Sequence, residues 1–256
     1  MKPVLIGKGL KKYFGNVRAV DGVFIQINPG EVVGLIGPNG AGKTTLLNLL
    51  SGVLKPDSGE VLVYVGGKKE YINVAGWNPA KITGLGVARA FQIPNIFENM
   101  TVIDNLRAAI IASKKLYGKT LRFYDRINDV EREAEKLLKL FGLIEKAESI
   151  AGGLGHGERK ILDIALALTV KPKILMLDEP TAGLSAAEKP LIIDLIRKLK
   201  NEINAAILVV EHDLDVVFTV SERVVVMHEG KILAEGTPEE IKSDIRVREA
   251  YFGEVL

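Results

Sequence analysis

Gly37-Pro-Asn-Gly-Ala-Gly-Lys-Thr-Thr45 is the stretch on which the reading of this 256-residue chain turns. An apolar run, Val32 to Ile36, enters it and an apolar-periodic segment, Leu46 to Leu50, leaves it, which gives the order strand, glycine-rich turn, helix. The stretch fits the phosphate-loop pattern GxxxxGK[ST]. Glycines let the backbone curl so that successive N–H groups, from Asn39 through Gly40, Ala41, Gly42, Lys43 and Thr44 to Thr45, face one anion. The helix N-terminus adds partial positive charge behind them. In such a loop Lys43 reaches the outer phosphates of a nucleotide and the Thr44 hydroxyl takes a place on Mg²⁺. The alternative is a surface turn that precedes a helix by chance; composition alone produces such a match in roughly one chain in a hundred of this size.

The rest of the composition excludes more than it asserts. Lys and Arg number 34 against 32 Asp and Glu, a net charge of +2, so no basic footprint calls for nucleic acid. There is no Cys, which removes disulfides, thiol catalysis and Cys-based zinc sites and suits a reducing compartment. No window approaches the ~18 apolar residues of a membrane span; the longest, Ile161 to Val170, is interrupted by Asp163. The start, MKPVLIGKGLKK, has too short an apolar core for a secretory signal. The expectation is a cytoplasmic chain whose membrane role, if any, runs through a partner.

In chain order, Val4 to Ile6, Val17 to Ile27 and Val32 to Ile36 read as strands. Phe14 lies in a loop between the first two, where a flat ring can stack on a base; taken alone, core packing explains it better. Gly84 to Phe91 is strand-like and ends at Gln92, whose neutral amide can offer oxygen to Mg²⁺ or orient a water. Thr101 to Lys115 and Asn128 to Glu148 carry helical periodicity and suggest an inserted helical subdomain. A second glycine-rich stretch, Ala151 to Glu158, runs into a helix from Arg159 to Thr169; it reads as a second anion cradle or, equally, as a hinge.

Lys173 to Leu177 is a buried strand closed by Asp178-Glu-Pro180. Two carboxylates at such a strand end are costly unless they meet a cation or a water. Beside a phosphate loop, Asp178 suits the Mg²⁺ shell and Glu179 the polarisation of an attacking water, against the alternative of a plain turn and helix cap. Ser185 with Glu188 forms a capping box for a helix that starts there or at Pro190. Ala205 to Val210 is the next strand, and it places His212 at an end analogous to that of Asp178, where ligands collect in open α/β sheets.

In this order and spacing, the Phe14 loop, GPNGAGKTT, Gln92, LGHGE (154–158), ILMLDEP (174–180), AGLS (182–185) and EHD (211–213) resemble the ATPase subunit of an ABC transporter over essentially the whole chain. GVARAFQ, DEPTAGLS and the tail EGTPEEIKSDIRVREAYFGE are similar to the ATPases of branched-chain amino-acid and related amide importers. The resemblance implies an α/β P-loop NTPase fold as one ABC ATPase domain, residues 1–256. An N-terminal antiparallel β subdomain and RecA-like core would span 1–92 and 160–236, a helical subdomain with the signature 93–159, and a helical tail 237–256.

It further implies ATP and Mg²⁺ as cofactors. Lys43, Gln92, Glu179 and His212 would be catalytic, Thr44, Gln92 and Asp178 would serve the metal, and Phe14 with Asn39 to Thr45 would hold the nucleotide. Leu154, Gly155, His156, Gly157 and Glu158 would act in trans in a head-to-tail homo- or heterodimer with a second ABC ATPase. Partners would be membrane permease subunits and, indirectly, an extracytoplasmic solute-binding protein, with the chain peripheral on the inner face of the membrane. The helical subdomain would receive the permease in an apolar groove between Phe97 and Leu106. Where the family signature LSGGQ has Ser, this chain has Gly155, with His156 for Gly and Glu158 for Gln, so a weakened cradle is expected. An ATPase of lipid or lipopolysaccharide export is the alternative; repair or translation ATPases lack support because no coiled-coil insertion or tandem cassette is present.

Overall fold

The computed structural model describes residues 2–66, 70–116 and 126–252. The expected tail thus has its last residues, 253–256, and the helical region its residues 117–125, outside the described part. The alternation Val23, Ile25, Ile27 puts buried side chains on one face of β2 (Val17–Ile27). This strand pairs antiparallel with β1 (Leu5–Phe14), which pairs in turn with β4 (Ser58–Val65), and β5 (Glu70–Asn73) closes the sheet in the order β2-β1-β4-β5. The expected first strand stops at Ile6, whereas β1 runs on to Phe14. Its register slips between Gly7 and Leu10, and such a bulge breaks the two-residue period by which a strand is recognised.

The second sheet has the order β10-β9-β3-β8-β7-β6, formed by β3 (Val32–Ile36), β6 (Val87–Ala90), β7 (Ile174–Asp178), β8 (Ala206–Val210), β9 (Arg223–His228) and β10 (Lys231–Gly236). All neighbours are parallel except the β9/β10 hairpin. The pairs Leu35 with Val210, Asp178 with Val210, and Ala90 with Leu177 show that β3, β8, β7 and β6 end level with one another. The segments after those four strands are the phosphate loop, His212, Glu179 and Gln92. β3, β7 and β8 are buried throughout, so their continuous apolar runs are those of a sheet covered on both faces.

One cluster of buried side chains joins this sheet to the antiparallel sheet through α1 (Lys43–Leu50), with Leu46, Leu47, Leu49 and Leu50 in it. On the other side α5 (His156–Leu168) packs on β6 and β7 and, in one buried cluster with α6 (Lys189–Glu202), carries α3 (Val102–Ser113), on which α4 (Ile127–Leu140) packs; the short α2 (Pro79–Thr83) precedes them. α5 begins at His156 and not at Arg159, because Gly155 already serves as its N-cap. Ser185 N–H and Oγ do bind Glu188 Oε2, at 3.0 and 2.7 Å, but regular helix starts at Lys189 with Pro190 in its first turn. A third cluster packs α7 (Leu214–Val220), α8 (Pro238–Ser243) and α9 (Ile245–Phe252) on β9 and β10. Among the described residues no helix is long and apolar enough to cross a membrane.

Candidate nucleotide site

The phosphate loop is shaped by Gly42, the N-cap of α1, at φ +100°. A Cβ there would sit 2.1 Å from the carbonyl oxygen of Ala19, so only glycine fits between loop and β2. Among the described residues the N–H groups of Asn39, Gly40, Gly42, Lys43, Thr44 and Thr45 find no acceptor, whereas Ala41 N–H donates to Pro38 O at 3.2 Å. Ala41 N–H is thus the one expected anion donor of the loop that is engaged within it. Lys43 is 7% exposed, and its Nζ donates to the carbonyls of Gly37 and Pro38 at 2.7 and 3.0 Å. Its ammonium is held on the loop's own backbone, and burial lowers its pKa against the pull of Glu179.

At the end of β7, Glu179 has φ +47°, a left-handed conformation unusual for a side chain with a Cβ, and Lys160 Nζ donates to its carbonyl at 2.8 Å. Its carboxylate accepts from Gln92 Nε2 at 2.8 Å and lies 3.9 Å from His212 Nδ1. Asp178, one residue earlier, is 6% exposed and paired with Arg89 at 2.6 Å. The fold thus brings Gln92, Asp178, Glu179 and His212 together from three strand ends, with the charge of Glu179 felt at Lys43.

The residues that do most to hold these in place are charged, buried and absent from the sequence-derived set. Glu211, fully buried, accepts from Thr181 N and Oγ1 at 2.8 and 2.6 Å and so fixes the turn after Glu179. Asp163 on α5 accepts from Phe91 N and Asn95 N at 3.0 and 2.9 Å and holds the segment carrying Gln92 at both ends. An acid interrupting the apolar run Ile161 to Val170 was the available signal for Asp163, as was a lone Arg inside VARAF for Arg89.

Burial pushes the Asp163 carboxyl up to about 6 in spite of those two N–H donors. A carboxyl whose folded pKa lies above its unfolded value stabilises the fold most below about pH 4 and loses that contribution as pH rises through about 6. The Asp163→Asn variant should therefore gain stability relative to the parent by roughly 2–3 kcal/mol between pH 4 and 7. Urea unfolding across that range reads it, and parallel pH profiles in the two proteins would refute it.

At the signature stretch Leu154 and Gly157 are buried, while Gly155 and His156 are exposed. Glu158, where the family has Gln, turns its Oε2 back onto Gly155 N–H at 3.1 Å, and its Oε1 pairs with Lys146 at 2.5 Å. One cradle donor is thereby engaged within the chain. Phe14, for which core packing is the better explanation in isolation, is instead 49% exposed at the end of β1, under Lys12 Nζ at 5.7 Å from the ring centre. The expected apolar groove is shifted: Val102, Ile103 and Leu106 are core, and the exposed apolar side chains are Phe91, Ile93 and Phe97.

Among the described residues no three His, Asp or Glu converge to hold an ion by themselves. Asp178 keeps one carboxylate oxygen with no hydrogen-bond partner among the described residues, and the expected set adds two neutral oxygens, the Thr44 hydroxyl and the amide oxygen of Gln92, whose Nε2 is on Glu179. One carboxylate with neutral oxygens is what Mg²⁺ takes when phosphates and waters complete its shell, so the residues present fit that ion.

A largely parallel sheet with a glycine loop on the first helix and paired acids at the end of the strand next but one defines a P-loop ATPase. The family model described as ABC transporter matches residues 20–182, and the chain belongs to that family as its ATP-binding cassette. A second model, described as branched-chain amino acid ATP-binding cassette transporter, matches residues 231–255. The chain is 39% identical over 258 residues, 99% of each chain, to the high-affinity branched-chain amino acid transport ATP-binding protein LivG of Escherichia coli K12. It is 35% identical, over 98% of each, to a probable LivG of Methanocaldococcus jannaschii. Among solved structures, an ATP-binding cassette of an ABC transporter in its ADP conformation superposes with TM-score 0.83 at 32% identity, covering 99% of this chain and 100% of that one. A dimeric post-hydrolysis cassette bound to ADP and Pi gives 0.74 at 26%, covering 91% and 98%.

Proposed function

We propose that this chain is the ATP-hydrolysing subunit of an importer for branched-chain amino acids or related amides, working through separate membrane permease subunits fed by an extracytoplasmic solute-binding protein. The observation that carries it is the convergence of Gln92, Asp178, Glu179 and His212 on one edge of the sheet whose first strand feeds the phosphate loop. The tail match and the LivG relatives support the substrate class, and nothing among them favours lipid export.

Mg²⁺ held there with the nucleotide would supply positive charge against the transferred phosphoryl group. The chain's part is to place groups. N–H donors of the loop and Lys43 receive the phosphates, and Phe14 receives the base. Thr44, Asp178 and Gln92 take the metal side. Glu179 accepts the proton of the attacking water, and Gln92 and His212 orient around it. The permease-facing part is assigned to the helical region, 93–116 and 126–159 among the described residues, and the exposure of Ile93 and Phe97 supports that assignment.

Solubilisation in mild detergent with mass spectrometry should recover a permease with this chain, and the reconstituted assembly should accumulate leucine, isoleucine or valine in an ATP-dependent manner. Recovery of a lipid exporter's permease instead would sink the reading.

The cradle at Leu154 to Glu158 acts in trans across an ATPase dimer and is weakened, which favours a heterodimer whose second cassette carries the stronger signature. A hydroxyl buried against a charged phosphate contributes about 1–3 kcal/mol. Gly155 has φ −62°, and a Cβ there meets only Glu158 Oε2 at 3.7 Å, so serine fits without strain. The Gly155→Ser change should raise the ATPase rate of the assembled transporter several-fold, about what 1 kcal/mol yields. An unchanged rate removes the weakened-cradle idea.

A further inference from the structure

Arg89, the partner of Asp178, is a charged residue inside β6, 7% exposed at its side chain, and has no role in the proposed reaction. Its guanidinium reaches three acceptors on two elements. One terminal nitrogen donates to Asp178 Oδ2 at 2.6 Å, and the other to Asn48 Oδ1 at 2.7 Å and Ser51 Oγ at 3.1 Å. Asn48 lies on α1, the helix that the phosphate loop opens, and Ser51 caps the end of it. The remaining nitrogen, Nε, is buried without a partner, and the guanidinium lies 4.9 Å from the centre of the Phe91 ring, next in sequence to Gln92.

Burying an arginine with one donor unsatisfied is costly, and strand packing does not require it, since Val87, Ala88 and Ala90 fill the rest of β6 with small apolar side chains. What the charge achieves is to hold one oxygen of a buried carboxylate and leave the other with no hydrogen bond among the described residues. Planarity matters here. A guanidinium fork can bind the carboxylate with one arm and two oxygens of the phosphate-loop helix with the other, whereas an ammonium is a single point.

We propose that Arg89 is a positioning residue for Asp178, fixing its carboxylate relative to α1 so that the free oxygen is presented to the nucleotide's divalent cation. The proposal rests on the reading of Asp178 as the metal residue. It makes the spacing between phosphate loop and metal carboxylate a property of one side chain, and through β6 it ties that spacing to the Gln92 segment.

The test uses the purified full chain with two readouts: binding of a fluorescent ATP analogue in EDTA, and the Mn²⁺ midpoint followed by electron paramagnetic resonance with ATP present. The Arg89→Met variant should bind nucleotide in EDTA within about 2-fold of the parent, while its Mn²⁺ midpoint rises about 10-fold, as expected when a residue behind a metal ligand is lost. Arg89→Lys should recover part of that shift. An unchanged midpoint in Arg89→Met overturns the proposal. A lowered one does so too, since Arg89 would then compete with the metal, and an equal loss of binding in EDTA would place its role on the nucleotide. Should Arg89→Met fail to fold, Asn48→Ala carries the test: the ion pair stays, one anchor is lost, and a midpoint raised about 3-fold is expected, against none if the proposal is wrong. Asp178→Asn, run alongside, separates the two levels. If it leaves the midpoint unchanged, the reading of Asp178 itself falls, and this proposal with it.

Discussion

Glu179→Gln is expected to keep ATP bound and to lower turnover by about 10²–10⁴-fold, the range a positioned general base supplies. The two side chains have the same shape, and the glutamine oxygen still accepts from Gln92 Nε2, which sits 2.8 Å from the carboxylate. The backbone at φ +47° and its carbonyl contact with Lys160 are untouched. What is lost is only the capacity to take a proton. Equilibrium ATP binding and phosphate release on the same preparation separate these terms, and near-normal turnover in the variant would remove Glu179 as the base.

Gly42→Ala is expected to cost roughly 3 kcal/mol or more of stability, or else to displace the loop and weaken ATP binding at least about 100-fold. The added methyl meets the Ala19 carbonyl oxygen at 2.1 Å, and that oxygen belongs to β2, where it cannot retreat as the tip of a flexible side chain can. The backbone at φ +100° is also one that an L-residue with a Cβ rarely adopts. Gly40 is the control. It has φ +81° with open space around a Cβ, so Gly40→Ala should bear the conformational cost without the collision. Urea midpoints and ATP affinity of the two variants test the ordering, and a Gly42→Ala protein as stable and as tight as Gly40→Ala would refute it.

The parts legible in the sequence are those whose function is written as local backbone chemistry. GPNGAGKTT names its own turn, donors and helix. The runs ILMLD and AILVV announce strands covered on both faces, because nothing polar interrupts them until the ends where Asp178 and His212 stand. The boundary errors have local causes as well. The slip at Gly7 to Leu10 hid the second half of β1 by breaking its period. Glycines read as loop and place the expected start of α5 at Arg159, while Gly155 is the helix's N-cap and Glu158 closes onto its N–H.

What the chain's order of residues determined by itself is the identity of the reacting groups and the fact that each follows a strand or opens a helix; periodicity and glycine spacing are local, and they survive in one dimension. Only the tertiary structure decided which charged side chains hold those groups at working distance. Arg89 lies 89 residues from Asp178, Asp163 72 residues from Phe91, and Thr181 30 residues from Glu211. A buried ion pair or a carboxylate on a backbone N–H has no period and no spacing rule. Its partner is chosen by the order of strands in the sheet, and that order, β10-β9-β3-β8-β7-β6, is set by packing of the whole chain.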